Sequence, residues 1–588
     1  MGNKHWKKIR IALSLVIFFT LLMMFLGIGL WPLNRMEDLF LRLQLIPSIL
    51  RFMALFFSAS ALGFLLVILL TALFGRVYCS SICPLGTLQD IVIALAGRFK
   101  GRKGRRFHFT SNRKNILRYS IMGLCILLWL GGSLFLVNLL DPFSNFGKIS
   151  VSLLQPAYIW VHNQLVFTLE GMDLFWLFPL SMHFLPWNVM AVSVVIMLTV
   201  VVMASWRGRL FCNTICPAGS ALGLIGNRPL YRIRFSETAC TGCRRCEWVC
   251  KAECLDSRNR HVDHSRCINC FNCFASCPQG GIGYAYSLGT KAKRHTPQAQ
   301  NTLQAVDSPQ DGGNLPAGSS ATTGQSTQAE NRPQTGNSQQ PARVENEKRL
   351  FLLGAAGSLL AIPFLTRSSM AQRGQGGGRG HGRRTDDEHI VPASKPGMIP
   401  IEQQYPSTPP GSISHDHFTN HCVACYLCVS ACPTKVIVPS FYAFGLKGFM
   451  QPRMDFHRSF CNYDCVRCTE VCPTGAITRQ SEEEKQLIQI GVVRFLVESC
   501  IVTVDGTDCG ACSEHCPTKA VQMVPYRDGL FIPEIIPSLC VGCGACEFAC
   551  PTEPYKAIYV HGRKVHRKAR MIEDRGGPRE DDTDDFPF

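Results

Sequence analysis

Charge is scarce in this chain: 17% of its 588 residues are Asp, Glu, Lys or Arg, against 47% hydrophobic. That balance excludes a wholly disordered polypeptide and points to segments embedded in lipid. Acidic residues are fewer than basic ones, 42 against 60, for a formal charge of +18. Until those charges are located, a nucleic acid and an anionic membrane face are both candidate partners. Between Thr296 and Arg343 there is no aromatic residue and no isoleucine, so nothing there offsets the entropy of folding and the stretch reads as a tether. No Cys-x2-Cys-His occurs, which excludes covalent haem attachment of that type. No nucleophile, base and orienting group stand together as a substrate-converting site, so whether the chain is itself an enzyme stays open. What it has in excess is cysteine, 30 residues, below the density of a disulfide-stapled secreted domain and far above what packing requires.

Length alone suggests roughly four units at about 150 residues each. Four apolar runs of 18 to 22 uncharged residues lie in the first 210: Ile11 to Trp31, Met53 to Phe74, Ile121 to Leu140 and Val189 to Trp206. Each matches a hydrocarbon core of about 30 Å at about 1.5 Å per residue. The first is too long for a signal-peptide core and no small-residue cleavage site follows it, so it reads as an anchor. The stretch from Arg76 to Arg118 carries ten basic residues and the single acid Asp90, whereas Asp141 to Pro186 has only Lys148 against three acids. The positive-inside rule places the first in the cytoplasm and the second outside. Trp6, Trp31, Trp187 and Trp206 sit near the run ends, where an interfacial belt would put them. Most of the +18 is then a topology signal, and nucleic acid is unnecessary as a partner.

Six segments share one cysteine spacing. They are Cys240, Cys243, Cys246 and Cys250; Cys267, Cys270, Cys273 and Cys277; Cys422, Cys425, Cys428 and Cys432; Cys461, Cys465, Cys468 and Cys472; Cys500, Cys509, Cys512 and Cys516; and Cys540, Cys543, Cys546 and Cys550. Four keep C-x2-C-x2-C-x3-C and two widen only the first gap; Pro follows the last cysteine in five, with Lys251 the exception. Three closely spaced thiolates can wrap three corners of a [4Fe-4S] cube, while the fourth reaches the partner cube. Zinc prefers two separated pairs, so clusters are the better reading. Two-cluster pairing predicts that Cys240, Cys243 and Cys246 take Cys277, and that the other triplets likewise exchange Cys250, Cys472, Cys432, Cys550 and Cys516, making six clusters. Cys254 and Cys125 read as packed free thiols.

Two further motifs differ from these. Gly75-Arg76-Val77-Tyr78-Cys79-Ser80-Ser81-Ile82-Cys83-Pro84 and Gly208-Arg209-Leu210-Phe211-Cys212-Asn213-Thr214-Ile215-Cys216-Pro217 repeat one frame, each after an even-numbered apolar run, as two halves of an internal repeat. Cys79, Cys83, Cys212 and Cys216 are candidates for a redox dithiol, or for an additional metal or cluster site at which all four meet.

The expected organisation is a membrane domain over 1–227, a cytoplasmic two-cluster module over 228–288, a disordered linker over 289–345, an internal twin-arginine-like signal or fifth anchor over 346–371, a flexible linker over 372–410, a four-cluster domain over 411–560 and a charged tail over 561–588. The fold class is a polytopic α-helical membrane domain, four spans plus a fifth, carrying α+β bacterial ferredoxin-like 4Fe-4S modules. The Gly/Arg run from Arg373 to Arg384 lacks flanking strand or helix patterns and reads as a spacer.

On these residues the first part resembles the NapH family of membrane ferredoxin-type quinol dehydrogenase components, and the part after Lys348 resembles the NapG or MauM family of exported four-cluster ferredoxins. The resemblance implies an inner-membrane electron carrier. Electrons would pass from quinol, or from a cytoplasmic donor, to a periplasmic redox protein, with the first cluster pair cytoplasmic and the last four clusters periplasmic. Similar proteins also act in maturation, reducing a metal or cofactor of another respiratory enzyme, and the Cys-x3-Cys-Pro thiols suit that alternative. The flavin-attachment motif of related regulator-type polyferredoxins is absent.

Overall fold

The structure, a computed structural model, describes residues 3–28, 34–55, 63–99, 106–109, 115–286 and 405–570, apart from residues 174, 176, 183, 184 and 554. The expected tether, the twin-arginine-like segment and the Gly/Arg spacer lie outside the described residues.

Among the described residues two helices are long and apolar enough to cross a membrane, His5–Leu26 within α1 (Asn3–Leu26) and Trp187–Arg207, α11. At about 1.5 Å per residue, α1 spans about 36 Å. It ends where Gly27 turns left-handed at φ 78° and Ile28 N donates back to Met23 O at 3.0 Å, a glycine stop that satisfies a terminal carbonyl. The second expected span is represented by α3 (Leu45–Ala54) and α4 (Gly63–Phe74), shorter apolar helices. The third is interrupted. Instead of one helix over Ile121 to Leu140, α7 (Asn115–Leu130) stops at Gly131-Gly132, with Gly132 at φ 73°, and α8 (Phe135–Leu140) restarts beyond it. A run free of charge still breaks where glycine supplies a left-handed turn.

The segment after Asp141, expected outside, folds into the helical domain over its first turns. Asp141 caps α9 (Pro142–Ile149) by accepting from Ser144 N at 2.8 Å. Phe143 and Phe146, fully buried, then pack on Phe25 at ring distances of 5.5 and 5.6 Å. Spacing of three puts both rings on one helix face, which meets α1, α6 (Pro84–Phe99) and α11. A π-helical turn, Ser150–Leu154, leads into α10 (Gln155–Glu170).

Two cysteine-rich modules are built from two-stranded antiparallel ribbons. In the first, β1 (Tyr231–Phe235) pairs with β4 (Ile282–Tyr286) and β2 (Leu255–Asp256) with β3 (His261–Val262). In the second, β5 (Ile437–Pro439) pairs with β6 (Pro452–Met454), β8 (Val521–Pro525) with β9 (Phe531–Ile535), and β7 (Ile488–Phe495) with β10 (Ile558–Lys568). Two expected boundaries move. The strand to Lys568 takes the start of the charged tail into the fold, since Val560 and His561 are buried and pair with β7. Residues 406–410, assigned to a linker, are buried, with Ser407 O accepting from Met454 N.

The modules meet opposite ends of the helical domain. The helix Asn272–Ser276 of the first and the helix Leu427–Ala431 of the second both pack on α1. At the first module Arg207, the last residue of α11, pairs with Glu253 at 2.8 Å, and Phe74 stacks on Tyr231 at 5.4 Å. At the second, Ser430 donates to Phe25 O at 2.9 Å near the C-terminus of α1, and Ser144 donates to Val423 O at 2.6 Å.

Candidate functional site: the cysteine centres

Each strict repeat turns on two left-handed residues, one before and one after its second cysteine: Gly242 and Arg244, Asn269 and Phe271, Ala424 and Tyr426, Gly542 and Gly544. Five of these eight are not glycine, a conformation that L-residues adopt rarely and that clusters at functional loops. In the two repeats with a widened first gap the equivalent residues are relaxed, Val466 at φ −115° and Gly510 at φ −120°. The tight spacing therefore forces the left-handed turns. Alternation of this kind aims successive backbone amides into one concavity, the anion-binding nest found at many iron–sulfur sites.

Side chains converge across repeats, not within them. Cys240, Cys243 and Cys246 share a cavity of about 330 Å³ with Cys277. Cys267, Cys270 and Cys273 share one of about 290 Å³ with Cys250, and Cys461, Cys465 and Cys468 share one of about 310 Å³ with Cys432. Cys472 lies within electrostatic reach of Cys422, Cys425 and Cys428. Cys550 stands likewise to Cys500 and Cys512, and Cys516 to Cys540, Cys543 and Cys546. None of the 30 cysteines forms a disulfide. Among the described residues no three His, Cys, Asp or Glu side chains close round a single ion, as zinc would require. A four-iron cube is wider, and the cavities with their strained loops fit it. Cys254, expected to be a packed thiol, is buried in the Cys250 cavity with its Sγ 3.6 Å from Cys250 Sγ. Cys125 is buried in α7.

The two Cys-x3-Cys-Pro motifs meet. Cys79, Cys83, Cys212 and Cys216 are each no more than 4% exposed and lie within electrostatic reach of one another. The motifs relate as two halves: Arg76 donates to Cys212 O at 3.1 Å, and Arg209 to Cys79 O at 2.8 Å. Gly86 and Gly219, each three residues after the second cysteine of its motif, permit this approach. A Cβ on Gly86 would stand 2.5 Å from Cys79 O, and one on Gly219 2.3 Å from Cys212 O. Gly219→Ala should therefore destabilise the protein by about 1–3 kcal/mol through overpacking, read as a lowered unfolding midpoint in detergent.

Residues that motif reading missed attach the first module here. Lys251 stands where the other repeats carry proline. Its Nζ lies 3.1 Å from Asp90 Oδ1 and its carbonyl accepts from Arg209 N at 2.9 Å. Asp90 also binds Arg209 at 2.9 Å and Arg10 at 3.3 Å. The one departure from the proline pattern, beside the one acid of a basic segment, was the available signal.

These loops define a ferredoxin-type 4Fe-4S protein. The family described as 4Fe-4S binding domain matches residues 56–103 and 189–235, the two halves that carry the Cys-x3-Cys-Pro motifs, and the 4Fe-4S dicluster domain matches residues 421–476 and 507–553. The chain is similar to YccM of Escherichia coli K12, an electron transport protein by name, at 23% identity over 38% of this chain and 54% of that protein. It also resembles the ferredoxin-type protein NapF of the same organism, at 27% identity over 26% of this chain and 85% of NapF. The ferredoxin-type protein NapG of that strain is 35% identical over 13% of this chain and 32% of NapG. No solved structure matches. The chain thus carries ferredoxin-type 4Fe-4S domains and is an iron–sulfur electron-transfer protein.

Proposed function

We propose that this protein is a multi-pass inner-membrane electron carrier with six [4Fe-4S] clusters in its ferredoxin modules, passing electrons from quinol or a cytoplasmic donor to a periplasmic redox protein. The observation that carries the reading is that α1 and α11, the two helices of membrane-spanning length among the described residues, each have the first module at one end. At the other end of α1 is the second module, and Ser181, Met182 and Leu185, ahead of α11, line a cavity with Val429 and Lys435 of that module. In this reading a bilayer round these helices separates the modules, and the ten basic residues of 76–118 support a cytoplasmic position for the first. The resemblance to NapH- and NapG-type proteins supports the same direction. Free-thiol chemistry in maturation requires access, and the burial of all four motif thiols disfavours it.

In sealed membrane vesicles a soluble quinol analogue should bleach the visible iron–sulfur absorbance in seconds, and an added periplasmic-side acceptor should restore it. Clusters that stay oxidised with quinol, and also with a reduced cytoplasmic ferredoxin, would overturn the proposal. A protease site introduced after Lys568 should be cut from outside intact spheroplasts, and protection there would remove the periplasmic assignment.

A further inference from the structure

We infer that Cys79, Cys83, Cys212 and Cys216 together hold one further [4Fe-4S] cluster, inside the helical domain and between the two ferredoxin modules. The inference rests on the reading of the chain as a cluster-based electron carrier and adds a centre to it.

Charge is the first argument. The largest fully buried side chains of the described structure include Arg76, Arg118 and Arg209, and all three surround this quartet. Arg76 lies 3.6 Å from Cys79 Sγ and Arg209 4.0 Å from Cys212 Sγ, while Arg118 donates to Gly219 O at 2.7 Å beside Cys216. The carboxylate against them is Asp90, which binds Arg209 and is itself shared with Arg10 and Lys251. The acceptors that Arg76 meets are Asn213 Oδ1, the carbonyls of Ser265 and Cys212, and Cys79 Sγ, none of them a carboxylate. A buried guanidinium without a counter-charge is strongly unfavourable. Four neutral thiols would leave it so. Four thiolates on an oxidised cube of core charge 2+ carry a net charge of 2−, which gives Arg76 the counter-charge that its other acceptors do not supply.

Geometry is the second argument. Four thiols drawn from two symmetric motifs supply a complete ligand set with no protein ligand left over, and they do not close round a single ion. Their burial leaves no route for exchange with an external thiol, so a dithiol role lacks access.

Position is the third. Towards the first module, Arg76 bonds Ser265 O at 3.1 Å and Asn213 bonds Ala252 O at 3.2 Å, between the cysteines of the Cys250–Cys267–Cys270–Cys273 site. Towards the second, Tyr78 lies within electrostatic reach of both Cys83 and Asp141, and Asp141 within reach of Cys425. Beyond that, Cys461 N donates to Cys543 O at 2.9 Å, linking successive sites of the four-site domain. A centre at the quartet divides the helix-length gap between the modules. Transfer is one electron at a time, one cube being oxidised as its neighbour is reduced, with no bond made or broken.

The test uses the full chain purified without oxygen. Wild type should contain four irons and four sulfides beyond those of its ferredoxin sites. The Cys79→Ala/Cys212→Ala double variant should lose that amount, together with one reduced-state electron paramagnetic resonance signal, and keep the rest. Arg76→Gln should keep all iron and lower the midpoint potential of one centre alone, because a positive charge that favours the reduced form is gone, and Arg76→Lys should restore most of it. Full iron in the folded double variant overturns the proposal; if that variant does not fold, unmoved potentials in Arg76→Gln overturn it. Wild-type protein without any clusters overturns the electron-carrier reading as well.

Discussion

The Cys432→Ala variant is expected to lose the cluster of Cys461, Cys465 and Cys468, while the loop that carries Cys432 keeps its own. Cys432 ends the repeat beginning at Cys422, yet its thiol lines the cavity of the following triplet. The Cys422 triplet instead has Cys472 in reach. Iron content should fall by one cube's worth. Adding Cys461→Ala should cost nothing further, because both residues serve one site, whereas adding Cys422→Ala should remove a second cube. Substitutions at independent sites add and those at a shared site do not. If each loop held its own cube, the two double variants would trade results, and iron analysis of the three proteins distinguishes the cases.

Asp90→Asn should be the most damaging single change outside the cysteines. Burial alone pushes the Asp90 carboxyl up, but Arg209, then Lys251 and Arg10, outweigh it and hold the group at about 2. Removing one partner of a buried charge cluster costs about 3–5 kcal/mol, here because Arg209 would remain fully buried with its main counter-charge gone. The sign of the pH dependence follows. The carboxyl is held below its ordinary value, so its contribution is complete above about pH 4 and is lost as the pH falls through about 2. Unfolding midpoints of wild type in detergent should therefore drop between pH 4 and 2, and those of Asp90→Asn should start lower and change less over that interval. The variant should also loosen the first module, since Lys251 and Arg209 meet at this carboxylate; faster amide exchange across residues 240–277 would register it.

Local spacing was the most legible part of the sequence. C-x2-C-x2-C-x3-C constrains a short loop so tightly that its left-handed residues, Arg244, Phe271 and Tyr426 among them, follow from the count of residues between thiols. The same count led to the expectation that Cys432 and Cys472 cross between adjacent triplets, and Cys432 lines a cavity with Cys461, Cys465 and Cys468. Hydropathy was less reliable. It located α1 and α11, but treated Ile121 to Leu140 as one span although Gly131-Gly132 ends α7. Nor did it show that Phe143 and Phe146 bury α9 in the helical domain. Charge counts see which residues avoid lipid; they do not see which backbone turns or which rings find partners. β10 was missed for a related reason, since strand pairing with a segment some 70 residues earlier leaves no local mark in the sequence.

What the sequence determined by itself is the cysteine spacing of ferredoxin-type 4Fe-4S repeats and an apolar half set apart from a cysteine-rich half. Short-range geometry carries all of that, because three thiols within seven residues leave the loop few conformations. Only the tertiary structure decided that Cys79 and Cys83 face Cys212 and Cys216, that three buried arginines surround them, that Lys251 and Asp90 clamp a module to the helices, and that the two modules occupy opposite ends of α1. Those contacts join residues more than a hundred positions apart. Their energies come from burial and from charge compensation in a low-dielectric interior, neither of which exists until the chain has closed.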